Sequence, residues 1–152
     1  MTEEDTAAVC ILSGQLGYPM SAETIQSRIA TVLGLPQHTA FVAEINGEVV
    51  GWIHVYIAHL IEAASSYAEI GGLVVDEQCR GHGVGKALVR AAEDWTIKSG
   101  YADIRVRSAS RRVDAHQFYE KLGYRLVKTQ MRFEKSLSVE KLPLLYSRDS
   151  VK

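Results

Sequence analysis

Gly81, Gly83 and Gly85 recur at every second position in the run Gln78-Cys79-Arg80-Gly81-His82-Gly83-Val84-Gly85-Lys86, with the cations Arg80 and Lys86 set among them. Just ahead, Leu73, Val74 and Val75 are apolar and mostly β-branched, as a buried strand requires. From Val84 onward the apolar residues take helical spacing, with Val84, Leu88, Ala91 and Trp95 on one face. A strand, a glycine turn and a helix start therefore follow one another. The first N–H groups of such a helix have no intrahelical acceptor and point back at the turn. Together with the helix dipole they make a site for a phosphate-type anion.

Spacing separates the kinds of phosphate loop. A P-loop needs Gly, four residues, then Gly-Lys-Ser/Thr. Here Gly85-Lys86 is followed by Ala87, and the leading position is Arg80, so the magnesium-binding hydroxyl and the first glycine are both missing. A dinucleotide fingerprint needs Gly-x-Gly-x-x-Gly. Gly81 and Gly83 fit it, but its third glycine falls on Lys86. The spacing that fits is Gln78-x-x-Gly81-x-Gly83, repeated two residues on as Arg80-x-x-Gly83-x-Gly85. A second chemical feature lies downstream in Ala115-His116-Gln117-Phe118-Tyr119-Glu120-Lys121-Leu122-Gly123-Tyr124. A third is Glu69 in Tyr67-Ala68-Glu69-Ile70, a carboxylate on a strand pattern, costly to bury without a role or a partner.

The glycine spacing resembles the pyrophosphate-binding motif of the GNAT acyltransferases, and residues 115–124 resemble that family's Ala-x-x-Phe-Tyr-x-x-x-Gly-Phe/Tyr segment. The likeness runs from roughly Thr39 to Leu137. It implies an acetyl-CoA-dependent N-acetyltransferase acting on a primary amine of a small molecule by direct attack in a ternary complex. It also implies a mixed, partly parallel α/β sheet with helices on both faces. Acetyl-CoA is the co-substrate, and no metal is expected. Backbone amides from Arg80 to Lys86, with Gln78 and His82 in the same loop, would hold the diphosphate. Main-chain groups of Leu73 and Val75 would hold the pantetheine arm, and an N–H near Leu73 or Val74 would polarise the acetyl carbonyl. Tyr119 matches the tyrosine that sits near the sulfur and would protonate the departing thiolate. Glu69 matches the base of histone-type members, with an alignment gap of two residues. Where many members carry Asn, this chain has Arg112, which reaches a phosphate, faces an acidic substrate group, or is a solvated cation at a helix start. His54, Tyr56 and Tyr18 are candidates for the acceptor pocket.

The elements that must position these residues can be read in order. Thr6 to Leu16 is a modest amphipathic helix with Ala8, Ile11 and Leu12 on one side. Ser21 caps a second, with Ile25, Ile29, Val32 and Leu33 as its apolar face. Thr39–Ile45 and Glu48–Leu60 flank Asn46-Gly47, a strong hairpin signal. Tyr67–Val75 is the central strand, where Gly71-Gly72 suggest a bulge or a close approach. Asp103–Ser108 is a strand after the helix Val84–Ser99. Val113–Leu122 is a helix, and Tyr124–Val127 with Met131–Phe133 supply the last strand material. The family usually begins with a strand that this N-terminus is too short to supply. Residues 1–137 read as one acyltransferase domain and 138–152 as a tail or arm.

Composition narrows the field. The chain has 152 residues, a formal charge of −1 and 23% charged residues, which argues against general nucleic-acid binding. Cys10 and Cys79 are far apart and outside any metal spacing. No apolar run approaches the ~18 residues of a membrane span, and the acidic start is unlike a signal peptide, so a cytoplasmic protein is expected. No membrane partner is expected. A homodimer through a sheet edge or the tail is compatible with the pattern. The alternatives are a non-catalytic acyl-CoA-binding or sensing module and an acetyltransferase for protein or peptide amines.

Overall fold

The computed structural model describes residues 1–61 and 63–137; the expected tail lies outside them. Two helices open the chain, Thr6–Gln15 (α1) and Ala22–Leu33 (α2). A single 3-10 turn, Glu3–Asp5, precedes α1, and the Met1 ammonium reaches the Ala40 carbonyl at 3.4 Å. Ser21 caps α2 by accepting the Thr24 N–H at 3.3 Å, which satisfies one of the orphan donors of the first turn. α1 turns Val9, Leu12 and Ser13 inward, and Ile11 is exposed, contrary to the pattern expected from sequence. Neighbouring residues on a helix diverge by about 100°. With Val9 and Leu12 facing inward, Ile11 is carried to the rim.

His38–Ile45 (β1) and Glu48–Ala58 (β2) form the expected hairpin. Asn46 and Gly47 take φ of 53° and 83°, the left-handed pair that a type I′ turn demands. Tyr67–Val75 (β3) pairs antiparallel with β2, and Ile104–Val106 (β4) pairs parallel with β3, giving the sheet order β1-β2-β3-β4. Val84–Lys98 (α3) is the crossover that parallel pairing requires. Val113–Lys121 (α4) follows β4. The fold is the expected mixed α/β sheet.

Both faces of the sheet are covered. Ile53, Val55 and Ile57 alternate along β2 with Trp52, His54 and Tyr56. The first set joins Ala68, Ile70, Val84, Leu88, Val89 and Ala92 in the main core beneath α3. On the other face Trp52 packs with Val9, Ile25 and Ile29 of α1 and α2. The inner face of α3 is wider than the sequence pattern suggested. Val89, Ala92 and Thr96 are buried, and Ala91 and Trp95 sit at its margins.

One expectation fails. Tyr124–Val127 and Met131–Phe133 form no strand, and Leu126, Val127, Met131 and Phe133 are exposed. Strand propensity describes fitness for a pleated neighbour. β4 is only three residues long, so these segments are not offered one.

Ile53 is fully buried at the centre of the main core. Ile53→Ala is expected to destabilise the fold by about 2–5 kcal/mol through lost burial and the cavity left behind, measured as a lower urea midpoint at unchanged m-value.

Candidate active site

The glycine turn is built from two conformational devices. Gly81 and Gly83 have φ of 80° and 84°, values at which a Cβ crowds its own backbone. Gly83 is the N-cap of α3 and supplies no side-chain cap. The amides from Arg80 to Lys86 donate to no other group among the described residues. A ligand or water must therefore satisfy them. The turn is held from outside. Asp76 accepts the Gln78 N–H at 2.9 Å, and Gln15 of α1 both donates to the Asp76 carboxylate at 2.9 Å and accepts the Glu77 N–H at 3.1 Å. These bonds, Gln15's first, hold the Asp76 carboxyl below its usual range. Arg80 donates to the Val75 carbonyl at 3.3 Å, and its guanidinium lies 3.6 Å from Glu77.

β3 leads into this turn with one open edge. β2 accompanies it as far as Val75, whereas β4 pairs only Ala68, Glu69 and Ile70. The Asp76 N–H donates to Val50 at 2.8 Å, and the Val74 carbonyl lies 2.9 Å from where a Cβ on Gly51 would stand. Main-chain groups two residues apart on a strand point the same way. Val74 thus faces β2, and the N–H and C=O of Leu73 and Val75 face the open side.

The bulge expected at Gly71-Gly72 is present, set opposite the step from His54 to Val55. The two glycines there leave room for side chains of β2. A Cβ on Gly71 would meet His54 Nδ1 at 2.7 Å, and one on Gly72 would meet the Trp52 ring at 2.8 Å. A cavity of about 190 Å³ opens over the bulge, lined by Ser13, Leu16, Tyr18, Met20, Trp52, Gly71 and Gly72. Beside it, Glu69 is 6% exposed and accepts from Arg107 Nε at 2.5 Å. Arg107 also donates to the Tyr56 hydroxyl at 3.3 Å, and Tyr56 stands directly across the sheet from Glu69. Burial, then the charge of Glu69, raises the Tyr56 pKa.

The model of the acetyltransferase (GNAT) family matches residues 12–124 of this sequence. The chain belongs to the GNAT family. It is 32% identical over 141 residues to an aminoalkylphosphonate N-acetyltransferase of Salmonella typhimurium, covering 90% of this chain and 88% of that one. Two solved structures share the fold. An apo aminoglycoside 6'-N-acetyltransferase from Acinetobacter haemolyticus has a TM-score of 0.79 at 18% identity, over 91% of this chain and 97% of that one. An aminoglycoside N-acetyltransferase in complex with CoA has a TM-score of 0.80 at 17% identity, over 90% and 92%. The chain is an N-acetyltransferase of this family.

In this GNAT domain the expected site residues fall into separate groups. Leu73, Val74, Val75, Gln78 and Arg80 through Lys86 form one continuous strand and turn, in which Val84 and Val74 turn their side chains into the core. Gln78, His82 and Lys86 are exposed. Gly85 differs from its neighbours because its φ is not left-handed. A Cβ there would sit 3.2 Å from Phe118, so this glycine lets α4 lie against the start of α3. Phe118 thereby carries Tyr119, whose ring meets those of Phe118 and Tyr124 edge-on at 5.1 and 5.5 Å. Burial pushes the Tyr119 phenol up to about 12, against the opposing charge of Arg112 at the start of α4. Glu69 shares a face of the sheet with its register partner Tyr56. Sequence reasoning missed Gln15, His38 and Arg107, which lie far from any motif. Among the described residues no three His, Cys, Asp or Glu side chains form a metal-binding group, and no helix is long and apolar enough to cross a membrane.

Gly85→Val is expected to push α4 off α3 and to destabilise the domain by about 1–3 kcal/mol. Phe118→Ala in the same chain should recover part of that loss, read as a coupling energy in a double-mutant denaturation cycle.

Proposed function

We propose that this chain transfers an acetyl group from acetyl-CoA to the primary amine of a small molecule, by direct attack while both substrates are bound. The observation that carries this reading is the junction of three features on β3: uncapped amides beyond its end, an open edge at Leu73 and Val75, and a cavity over its bulge. The donor set suits a diphosphate. It consists of backbone N–H groups at a helix N-terminus with Arg80 and Lys86 alongside, and Glu77, the acidic side chain nearest Arg80, is already paired with it. Acetyl-CoA held there supplies the acetyl group as an activated thioester.

The protein's own groups then have defined tasks. Leu73 and Val75 bind an extended arm as an added strand would be bound. The Leu73 N–H faces the open side and is the donor suited to polarise the acetyl carbonyl. Tyr119 stays protonated. Full transfer from a phenol at about 12 to a thiolate of ordinary acidity is uphill by ~5 kcal/mol. Its role is therefore to stabilise the leaving sulfur by hydrogen bonding. Arg112 adds positive charge on the same side. Glu69 draws the acceptor's ammonium toward the bulge, while Arg107 occupies one of its carboxylate oxygens.

A cavity of about 190 Å³ is smaller than a drug-sized pocket and has room for the amine-bearing end of an acceptor. The aminoalkylphosphonate acetyltransferase among its relatives supports a small amine as that acceptor. The first test is calorimetry with CoA, then acetyl-CoA with a panel of aminoalkylphosphonates, aminoglycosides and polyamines, following free thiol. Binding followed by turnover of a small amine is expected. CoA binding without turnover of any amine would favour a sensing module instead. Tyr119→Phe should lower kcat by about tenfold, one lost hydrogen bond, with CoA affinity unchanged. With the phenol at about 12, wild-type kcat should show no alkaline fall from Tyr119 below pH ~11.

A further inference from the structure

An amine enters at neutral pH as an ammonium and must lose a proton before it can attack, yet the cavity over the bulge is walled largely by Leu16, Met20 and Trp52. We infer that His54 takes this proton and hands it through His38 to solvent, an inference that rests on the small-amine reading above.

The geometry is a two-member chain leading from the bulge to the edge of the sheet. His54 Nδ1 lies 2.7 Å from the place a Gly71 Cβ would occupy, and Gly71 lines the cavity. Any side chain at position 71 would therefore cover this nitrogen. The other ring nitrogen, Nε2, is 3.1 Å from His38 Nδ1 on β1. His38, His54 and Tyr56 stack with centroids 5.2 to 5.6 Å apart, which fixes the ring planes. Burial, then the charge of His38, lowers the His54 pKa to about 4, so its resting form is neutral with one lone pair free. It is a relay member rather than a proton store. The charged and titratable groups sharing this face among the described residues include Tyr56 from the same strand, Tyr67 and Glu69 from β3, Arg105 from β4, Arg107 beyond it and Tyr18 at the cavity wall. Glu69 and Arg107 offset each other, so no lone carboxylate there traps an imidazolium.

In the working tautomer His54 carries hydrogen on Nε2 and a lone pair on Nδ1. As an N–H bond of the ammonium breaks and its proton binds Nδ1, the Nε2–H bond breaks in the same step and that proton binds His38 Nδ1, so His54 never carries both protons. His38 releases its Nε2 proton to water. The neutral amine forms the new N–C bond as the C–S bond breaks, and its second proton goes to the departing sulfur. Each turnover thus releases one proton to solvent. Exchange with water in the emptied cavity restores both tautomers.

The test uses His54→Gln, His38→Gln and the double variant, with acetyl-CoA and aminoethylphosphonate or whichever amine of the panel turns over. Each single variant should lose about 10²-fold in kcat at pH 7. The double should lose no more than either single, because both lie on one path, and CoA binding by calorimetry should be unchanged. The deficit should close as pH rises toward the pKa of the acceptor amine, since a free amine needs no base. Additive losses, or a deficit that does not vary with pH, would overturn the relay. A second readout does not depend on turnover: ¹⁵N NMR of the wild-type protein should show the Nε2–H tautomer of His54 at pH 7. The Nδ1–H tautomer would refute the relay. A wild type that acetylates no small amine would instead refute the substrate class and leave the tautomer to decide the relay.

Discussion

β3 is paired along its length on one side, except at the bulge residue Gly71, and along only its first residues on the other. Every buried or half-buried main-chain N–H and C=O needs a partner. β2 supplies one as far as the Asp76 amide, but β4 stops at the level of Ile70. The N–H and C=O of Leu73 and the Val75 N–H therefore wait on the open side, where the Val75 carbonyl accepts from Arg80. Beyond them the first turn of α3 presents amides that no helix can satisfy from within. The two shortfalls are continuous in space because strand and helix are joined by one short turn. A single ligand with an extended polar arm and an anionic end answers both. The core fixes this arrangement, because Val84 and Leu88 are anchored under the sheet and the helix start cannot drift from the strand end.

Glycine serves three different physical ends along this strand and turn. Gly81 and Gly83 are conformational, since their φ values exclude an ordinary side chain. Gly85 is a packing residue, leaving room for Phe118. Gly71 and Gly72 yield space to His54 and Trp52 on the neighbouring strand. The regular alternation at 81, 83 and 85 looks like one device in the sequence, yet the third position answers to α4 rather than to the loop. That contact brings Tyr119 toward the strand end, so the helix carrying the tyrosine and the glycine turn are registered against each other.

What was legible in the sequence was local. The hairpin turn, the cap at Ser21, the bulge and the start of α3 each follow from a few adjacent residues with one dominant physical preference. What was not legible depended on distant partners. Glu69 on a strand announced a cost of burial but not the guanidinium that offsets it, because Arg107 lies 38 residues away on a segment with no motif. Gln15 reads as an ordinary polar residue near the end of a helix, although it fastens α1 to the turn through two hydrogen bonds. The strand pattern after Tyr124 failed for the converse reason. Its residues have the right local preference, and no neighbouring strand of sufficient length is there to pair with them.

The open edge of β3 and the cavity over its bulge are built from different parts of the chain. The open edge and the turn use main-chain groups, which substitution leaves in place so long as the glycines keep their φ. The cavity uses side chains from α1 and the segment after it, namely Ser13, Leu16, Tyr18 and Met20. Changing those four alters the shape of the cavity without touching the amides beyond β3. The separation is incomplete at one point. Gln15 lies between Ser13 and Leu16 and holds Asp76 and the Glu77 amide. A shift of α1 large enough to admit a bulkier acceptor would therefore pull on the turn, and the first bonds to yield would be those of Gln15.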